Sequence, residues 1–170
     1  MDRVGYELYS KMLKEEISGE SASTAELDIK ATAYIPENYI ESPAGRMDCY
    51  KQIAEIRTVA DYKRVCLSIE ENYGPMPNEV LNLLIIAVMK AYASRLQVSK
   101  IGVSSKAAYL EFSALSALGD KKLRAAMDEY AQGIQVSMTS SPKINFMPRA
   151  NPAKTMLEMT KFLKFAVSFT

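Results

Sequence analysis

The stretch Ile69-Glu70-Glu71-Asn72-Tyr73-Gly74-Pro75-Met76-Pro77-Asn78-Glu79-Val80 writes a helix end, a two-proline corner and a helix start within twelve residues. Gly74 is placed to take the left-handed conformation that closes a helix, Pro75 cannot continue that helix, and Pro77 suits the first turn of the next. Two helices therefore meet at a stiff corner. On its N-terminal side, Ala44 to Val59 and Ala60 to Tyr73 read as helices parted near Arg57-Thr58, with Thr58 a candidate cap. On its C-terminal side, Pro77 to Leu96 reads as the longest helix, about 30 Å at the usual rise. Its polar positions Asn82, Lys90, Ser94 and Gln97 form only a narrow stripe, so this helix is expected to be buried on most sides.

Outward from the corner, Leu8, Met12, Leu13 and Ile17 fall at helical spacing beside a Glu7, Lys11, Glu15 charge ladder, and Ser18 to Ala25 reads as a mobile linker. Leu27 to Ile35 alternates as one strand, with Ile29, Ala31, Ala33 and Ile35 on one face, until Pro36 ends it. The C-terminal part changes character. Lys100 to Ser104 and Ala107 to Phe112 are β-like across a Ser105-Lys106 turn, and Asp120 to Gln132 is helical. Ile134, Val136 and Met138 alternate, Ser140 to Lys143 turns the chain, and Ile144 with Phe146 resumes the alternation. Asn151-Pro152 starts a last helix, with Met156, Leu157, Leu163, Ala166 and Phe169 inward and Lys154, Glu158 and Lys161 outward. The expected fold class is α+β. A helix-rich N-terminal lobe with one strand (1–97) precedes two β-hairpins that form a small antiparallel sheet covered by helices (98–170), strand-strand-helix given twice.

The chain's 170 residues suffice for one domain with its own core. Its net charge of +1 hides an asymmetry: Met1 to Val80 carries 9 Lys/Arg against 15 Asp/Glu, net −6, and Leu81 to Thr170 carries 12 against 5, net +7. Either the two halves attract one another or are plainly solvated, or each presents a charged face to a different partner. Cys49 and Cys66 lie in helix-like runs and, without any histidine, cannot fill a four-ligand zinc site, so they read as buried free thiols in a reducing cytoplasm. No segment has the apolar length to span a membrane, and Met1-Asp2-Arg3 does not begin a signal peptide.

Histidine is absent, the seven glycines are scattered rather than gathered in a phosphate-binding loop, and no nucleophile and base are recognisable as a pair. The carboxylate pairs Glu15-Glu16, Glu70-Glu71 and Asp128-Glu129 are sequence neighbours, whose side chains point about 100° apart on a helix and do not converge on one atom. No metal and no cofactor is expected. From Lys143 to Thr170, Lys143, Arg149, Lys154, Lys161 and Lys164 interleave with Phe146, Phe162, Phe165 and Phe169. Nucleic-acid binding there would need exposed aromatics, whereas the helical spacing turns most of those Phe residues inward.

Four segments in order resemble the C-terminal domain of the bacterial transcription-repair coupling factor family (Mfd). They are Val4-Gly5-Tyr6-Glu7-Leu8-Tyr9, Ala33-Tyr34-Ile35-Pro36-Glu37-Asn38-Tyr39-Ile40, Arg46-Met47-Asp48-Cys49-Tyr50-Lys51-Gln52-Ile53-Ala54, and the Asn72 to Pro77 corner. The resemblance runs from Val4 to about Val103 and fades through the hairpins. It implies that the chain is a piece of a much larger protein, an ATP-dependent DNA translocase whose ATP-binding, DNA-binding and motor parts lie upstream. That protein displaces stalled RNA polymerase and recruits UvrA in the repair of DNA damage. The resemblance further implies a non-catalytic, cytoplasmic regulatory domain, acting by autoinhibition: it clamps the UvrB-like N-terminal module, hides an arginine-bearing UvrA-binding surface and restrains the motor. In the family the helix before the glycine corner reads acid, two variable residues, acid, arginine, aromatic, glycine, with its two acids facing that module. Here Ser68, Glu71, Asn72, Tyr73 and Gly74 stand at the conserved places, so one acid and the arginine are replaced. The implied partner interface therefore comprises Ser68, Glu70, Glu71 and Asn72, centred on Glu71 with Glu70 as a neighbouring substitute, and Gly74, Pro75 and Pro77 form a structural corner.

Overall fold

The structure is a computed structural model that describes residues 25–168. The expected helix around Leu8 to Ile17, the linker up to Thr24, and Phe169 lie outside the described residues. The described residues divide into two compact units, Thr32–Ala91 and Ala25–Ala31 with Tyr92–Ser168.

The first unit is helical. Helix α1 (Pro43–Ala54) starts where the Ser42 hydroxyl accepts from the Gly45 N–H and Pro43 occupies the first turn. It stops at Ala54 rather than running to Val59, because the next helix claims the intervening backbone. In α2 (Val59–Tyr73) Thr58 and Asp61 form a reciprocal capping box, and the Arg57 and Thr58 N–H groups both donate to Asp61 Oδ2. The buried stripe of α2 is Val65 and Ile69. Helix α3 (Asn78–Ala93) is the most apolar, with every residue from Leu83 to Met89 buried, as its narrow polar stripe implies.

Gly74 departs from the expected left-handed cap. Its φ is positive at 84°, but ψ is −169°, a region open almost only to glycine. The chain thus leaves α2 extended instead of curling back. Pro77 stands just outside α3, its carbonyl accepting from Val80 and Leu81.

The second unit carries a five-stranded sheet in the order β1-β2-β3-β5-β4, from β1 (Glu26–Ile29), β2 (Val98–Val103), β3 (Ala108–Phe112), β4 (Ile134–Ser137) and β5 (Lys143–Phe146). The two hairpins are antiparallel as expected. The sheet is nevertheless mixed, because β1 joins β2 in parallel. β1 is also shorter than the alternation to Ile35 predicts. Its last ladder bond is Lys30 N–H to the Val103 carbonyl at 2.8 Å, where β2 ends. Beyond it the Ile35 N–H donates to the Tyr50 hydroxyl, and the Pro36 carbonyl accepts from Tyr39 and Ile40. Alternation without a partner strand makes no ladder.

Cross-strand pairs divide the sheet's faces. Ile101 with Leu110, Leu110 with Ile144 and Ala108 with Phe146 are buried, while Lys100 with Glu111, Glu111 with Lys143 and Tyr109 with Asn145 lie on the polar face. Helices α4 (Lys121–Glu129) and α5 (Pro152–Ser168) pack on one another, and α5 packs on β2. Asp120 caps α4 through Lys122 and Leu123, and Asn151 caps α5 through Ala153. Helix α4 ends at Glu129, short of Gln132, and a 3-10 turn (Ala131–Gly133) leads into β4. Leu157 corrects an expectation, since it is exposed. The inward stripe is Met156, Met159, Phe162, Leu163 and Ala166, and Leu157 falls on the outward row with Lys154, Lys161 and Lys164.

Candidate docking face

The four interface candidates share the last turns of α2. Glu70, Glu71 and Asn72 are exposed and Ser68 is half-buried. Asn72 Nδ2 donates to the Ser68 carbonyl at 2.7 Å, which folds that side chain back along its own helix and leaves the two carboxylates as the outward charges. The Gly74 N–H closes the helix on the Glu70 carbonyl at 2.8 Å, and the Tyr39 hydroxyl donates to the Gly74 carbonyl at 2.8 Å. Tyr39 and Tyr73 rings stand 6.2 Å apart and tilted. The corner is thereby tied to the loop before α1, which fixes where the acidic end of α2 points.

Glu70 and Glu71 have different surroundings. Glu70 follows Tyr62 and Cys66 at four-residue steps, and its charge helps to raise the pKa values of Tyr39, Tyr62 and Cys66. Glu71 ends the row Lys63, Leu67, Glu71, also at four-residue steps, and all three are exposed. Leu67 is 60% exposed although it is a large aliphatic residue. No interface role was expected of it from the sequence. Leu67 lies about 160 to 200° around the helix from Val65 and Ile69, so it faces out once the structure shows those two as the inward pair.

Electrostatics make the acidic end costly for the helix itself. The C-terminal turn of a helix carries the negative end of the macrodipole and favours cations. α2 has none there and holds Glu70 and Glu71 instead.

Burial disfavours the thiolate form at both cysteines. Burial, then Asp48, pushes Cys49 up to about 11, against which the Tyr73 hydroxyl donating to its sulfur acts in the opposite direction. Burial also raises Cys66, which accepts from the Tyr62 hydroxyl, and Tyr62 itself is pushed up to about 12, chiefly by burial. Both cysteines are free, Cys49 buried and Cys66 half-buried. Among the described residues no cluster of Cys, Asp and Glu is arranged to hold a metal ion, and no helix is long and apolar enough to cross a membrane.

In the basic C-terminal half, Phe146 and Phe162 are core residues, 5.2 Å apart edge to face, and Tyr130 stands 5.6 Å from Phe162 and 5.8 Å from Phe165. Lys143 sits 4.7 Å over the Tyr109 ring and 3.6 Å from Glu111, and Arg149 pairs with Glu158 at 2.9 Å. Lys154, Lys161 and Lys164 are exposed. The structure therefore brings exposed charge to that half but keeps Phe146 and Phe162 inside.

A model of the TRCF domain matches residues 29–123, more than half of the chain and the whole of the α1 to α3 corner. The chain belongs to the TRCF domain family. It is 32% identical over 178 residues to the transcription-repair-coupling factor of Bacillus subtilis, covering 96% of this chain and 15% of that protein. To that of Borreliella burgdorferi it is 27% identical over 129 residues, covering 72% and 12%. The chain thus spans about one seventh of the length of these relatives. A crystal structure of the C-terminal domain of a transcription-repair coupling factor superposes with a TM-score of 0.68 at 18% identity, covering 90% of this chain and all of that one. At that identity the likeness carries the fold. The resemblance carried by the Ala33, Arg46 and Asn72 segments is thus a family membership, with the α+β fold of a TRCF C-terminal domain.

Proposed function

We propose that this chain is the non-catalytic regulatory domain of a transcription-repair coupling factor, serving DNA repair in the cytoplasm. In this reading it docks on the UvrB-like module of the same protein, masks the surface that recruits UvrA and restrains the DNA translocase. UvrA, RNA polymerase and DNA are met only through the full-length protein, which binds ATP.

The observation that carries the reading is the acidic end of α2: two exposed carboxylates, Glu70 and Glu71, at the helix terminus whose dipole disfavours them, next to the exposed Leu67. Such an arrangement does nothing for the isolated helix. A cationic partner surface relieves the repulsion, and charge complementarity of this kind fixes docking register and rate. The apolar Leu67 beside the charges gives the patch the anatomy of an interface centre with a polar rim. The α2-to-α3 corner, held by Tyr39 on Gly74, supports the same reading by presenting that end on a fixed backbone.

Calorimetry of this chain against the isolated UvrB-like module tests it. Binding is expected to weaken with salt and to collapse in the Glu70→Lys, Glu71→Lys double variant, where like-charge contacts cost several kcal/mol. Lys154→Glu with Lys161→Glu should leave it nearly intact. The opposite pattern would assign docking to the basic half, and no binding by the parent chain would end the proposal. The rival, a nucleic-acid accessory module on the basic half, lacks an aromatic platform because Phe146 and Phe162 are buried. A salt-dependent shift of labelled duplex DNA would favour it.

A further inference from the structure

The second unit has a surface that the docking reading does not use. β4 is the last strand in the sheet order and, among the described residues, pairs only with β5, in an unbroken register from Ile134 against Phe146 to Ser137 against Lys143. Among the described residues its other edge has no strand beside it. Sheet edges are ordinarily blunted by charge, proline or a bulge. This one has none of these: no charged residue occurs from Ala131 to Pro142, no proline lies within β4, and the register has no shift.

The edge also exposes two apolar side chains. Val136 pairs with the buried Ile144, so it faces the core side of the sheet, yet it is 42% exposed, and Met138, two residues on, is 69% exposed. At the opposite end of the same strand an open cavity of about 260 Å³ is lined by Gln132, Gly133, Ile134, Gln135, Asn145 and Phe146 with Met147 and Pro148. Met147 is itself 70% exposed. An exposed thioether and a hollow thus stand near the two ends of this edge strand.

We propose that this edge is a self-association surface for a second copy of the chain. Two β4 strands pairing antiparallel across a two-fold axis normal to the sheet keep their core faces together, so directly opposite residues must share a face. An axis through Val136 sets Val136 against its own counterpart and Met138 of each copy against Ile134 of the other. Met138 then arrives at the cavity wall of its partner. A symmetric pair places any charge near the axis opposite a like charge, which destabilises it. The uncharged Ala131 to Pro142 stretch removes that barrier, and this property, with an exposed methionine at one end of the strand and a hollow at the other, favours a second copy over a charged partner. The contact joins two five-stranded sheets into one of ten strands. A four-residue strand pair is small beside a standard interface, so the association is weak, roughly micromolar to millimolar.

Sedimentation equilibrium of the full chain up to about 1 mM should show a reversible monomer–dimer equilibrium. Val136→Lys puts like charges face to face at the axis and should weaken it at least about tenfold. Gly133→Leu should do the same by crowding the hollow, and no atom lies within 4 Å of a Cβ built there. Val136→Cys should form a self-disulfide under mild oxidation, while Leu67→Cys, at an exposed position elsewhere, should not. A chain that stays monomeric to that limit, or a dimer indifferent to Val136→Lys and Gly133→Leu, overturns the proposal. So does a monomer whose β4 amides become protected from exchange only when the UvrB-like module is added, an outcome that gives the edge to a strand of another protein.

Discussion

A β-branched side chain at Gly74 must enter a backbone region, φ 84° and ψ −169°, that such residues do not populate. No atom lies within 4 Å of a Cβ built there, so the penalty is one of backbone strain and not of collision. Gly74→Val should destabilise the chain by about 1 to 3 kcal/mol, seen as a lower urea midpoint at unchanged slope. An unchanged midpoint would mean that the corner relaxes. Gly102 is the opposite case, because a Cβ there would run into the Tyr109 ring that faces it across the β2–β3 pair. Gly102→Val should therefore destabilise chiefly by displacing Tyr109, and Tyr109→Ser in the same chain should recover part of the loss in thermal melts. Cys49 gives a pH signature. Its folded pKa of about 11 exceeds the ordinary 9, so its contribution to stability is complete below pH 9 and is lost as pH rises toward 11. Cys49→Ala should flatten that alkaline limb in denaturation measured from pH 8 to 11.

Capping decides where the elements begin. The Thr58 and Asp61 box starts α2, and Thr58→Ala should cost about 1 kcal/mol by leaving a helix N–H without its acceptor. Asp61 has a lowered pKa, first through the Arg57 N–H and then through the Thr58 hydroxyl. A depressed carboxylate stabilises the fold fully above its unfolded value, ordinarily 3.8, and loses that contribution as pH falls through the lower folded value. Asp61→Asn should therefore remove part of the loss of stability seen in acid titration below about pH 4. A titration curve identical to the parent's would show that the box is not held in solution. At the level of the sheet, the two hairpins were legible from alternation and the Ser105-Lys106 turn. The length of β1 was not, since Ala31, Ala33 and Ile35 continue the pattern while β2 has already ended at Val103.

For the whole molecule the charge split is the property most directly tied to the proposed docking. The negative half carries the proposed docking end of α2, and its binding to the UvrB-like module should follow ionic strength. The purified chain should turn over no ATP above a blank, because its sequence holds no phosphate-binding loop and no base set against a nucleophile. Turnover that survives repurification and scales with the chain would contradict the regulatory reading. Of the candidate site, Glu70 and Glu71 could be placed from the sequence because the Gly74 corner fixes the end of α2. Leu67 needed the observed burial of Val65 and Ile69 to show that it faces out.

The sequence by itself determined the place of the corner, the helices around it and both hairpins. Each of these rests on local chemistry: the φ freedom of glycine, the missing N–H of proline, capping side chains, and periods of 2 or 3.6. Only the tertiary structure decided that β1 pairs in parallel with β2, a contact joining residues some seventy positions apart. It alone decided that Leu157 lies outside the core, and that β4 is left at the edge of the sheet among the described residues. Strand order and the covering of a face depend on which distant elements meet, and local periodicity does not encode that choice.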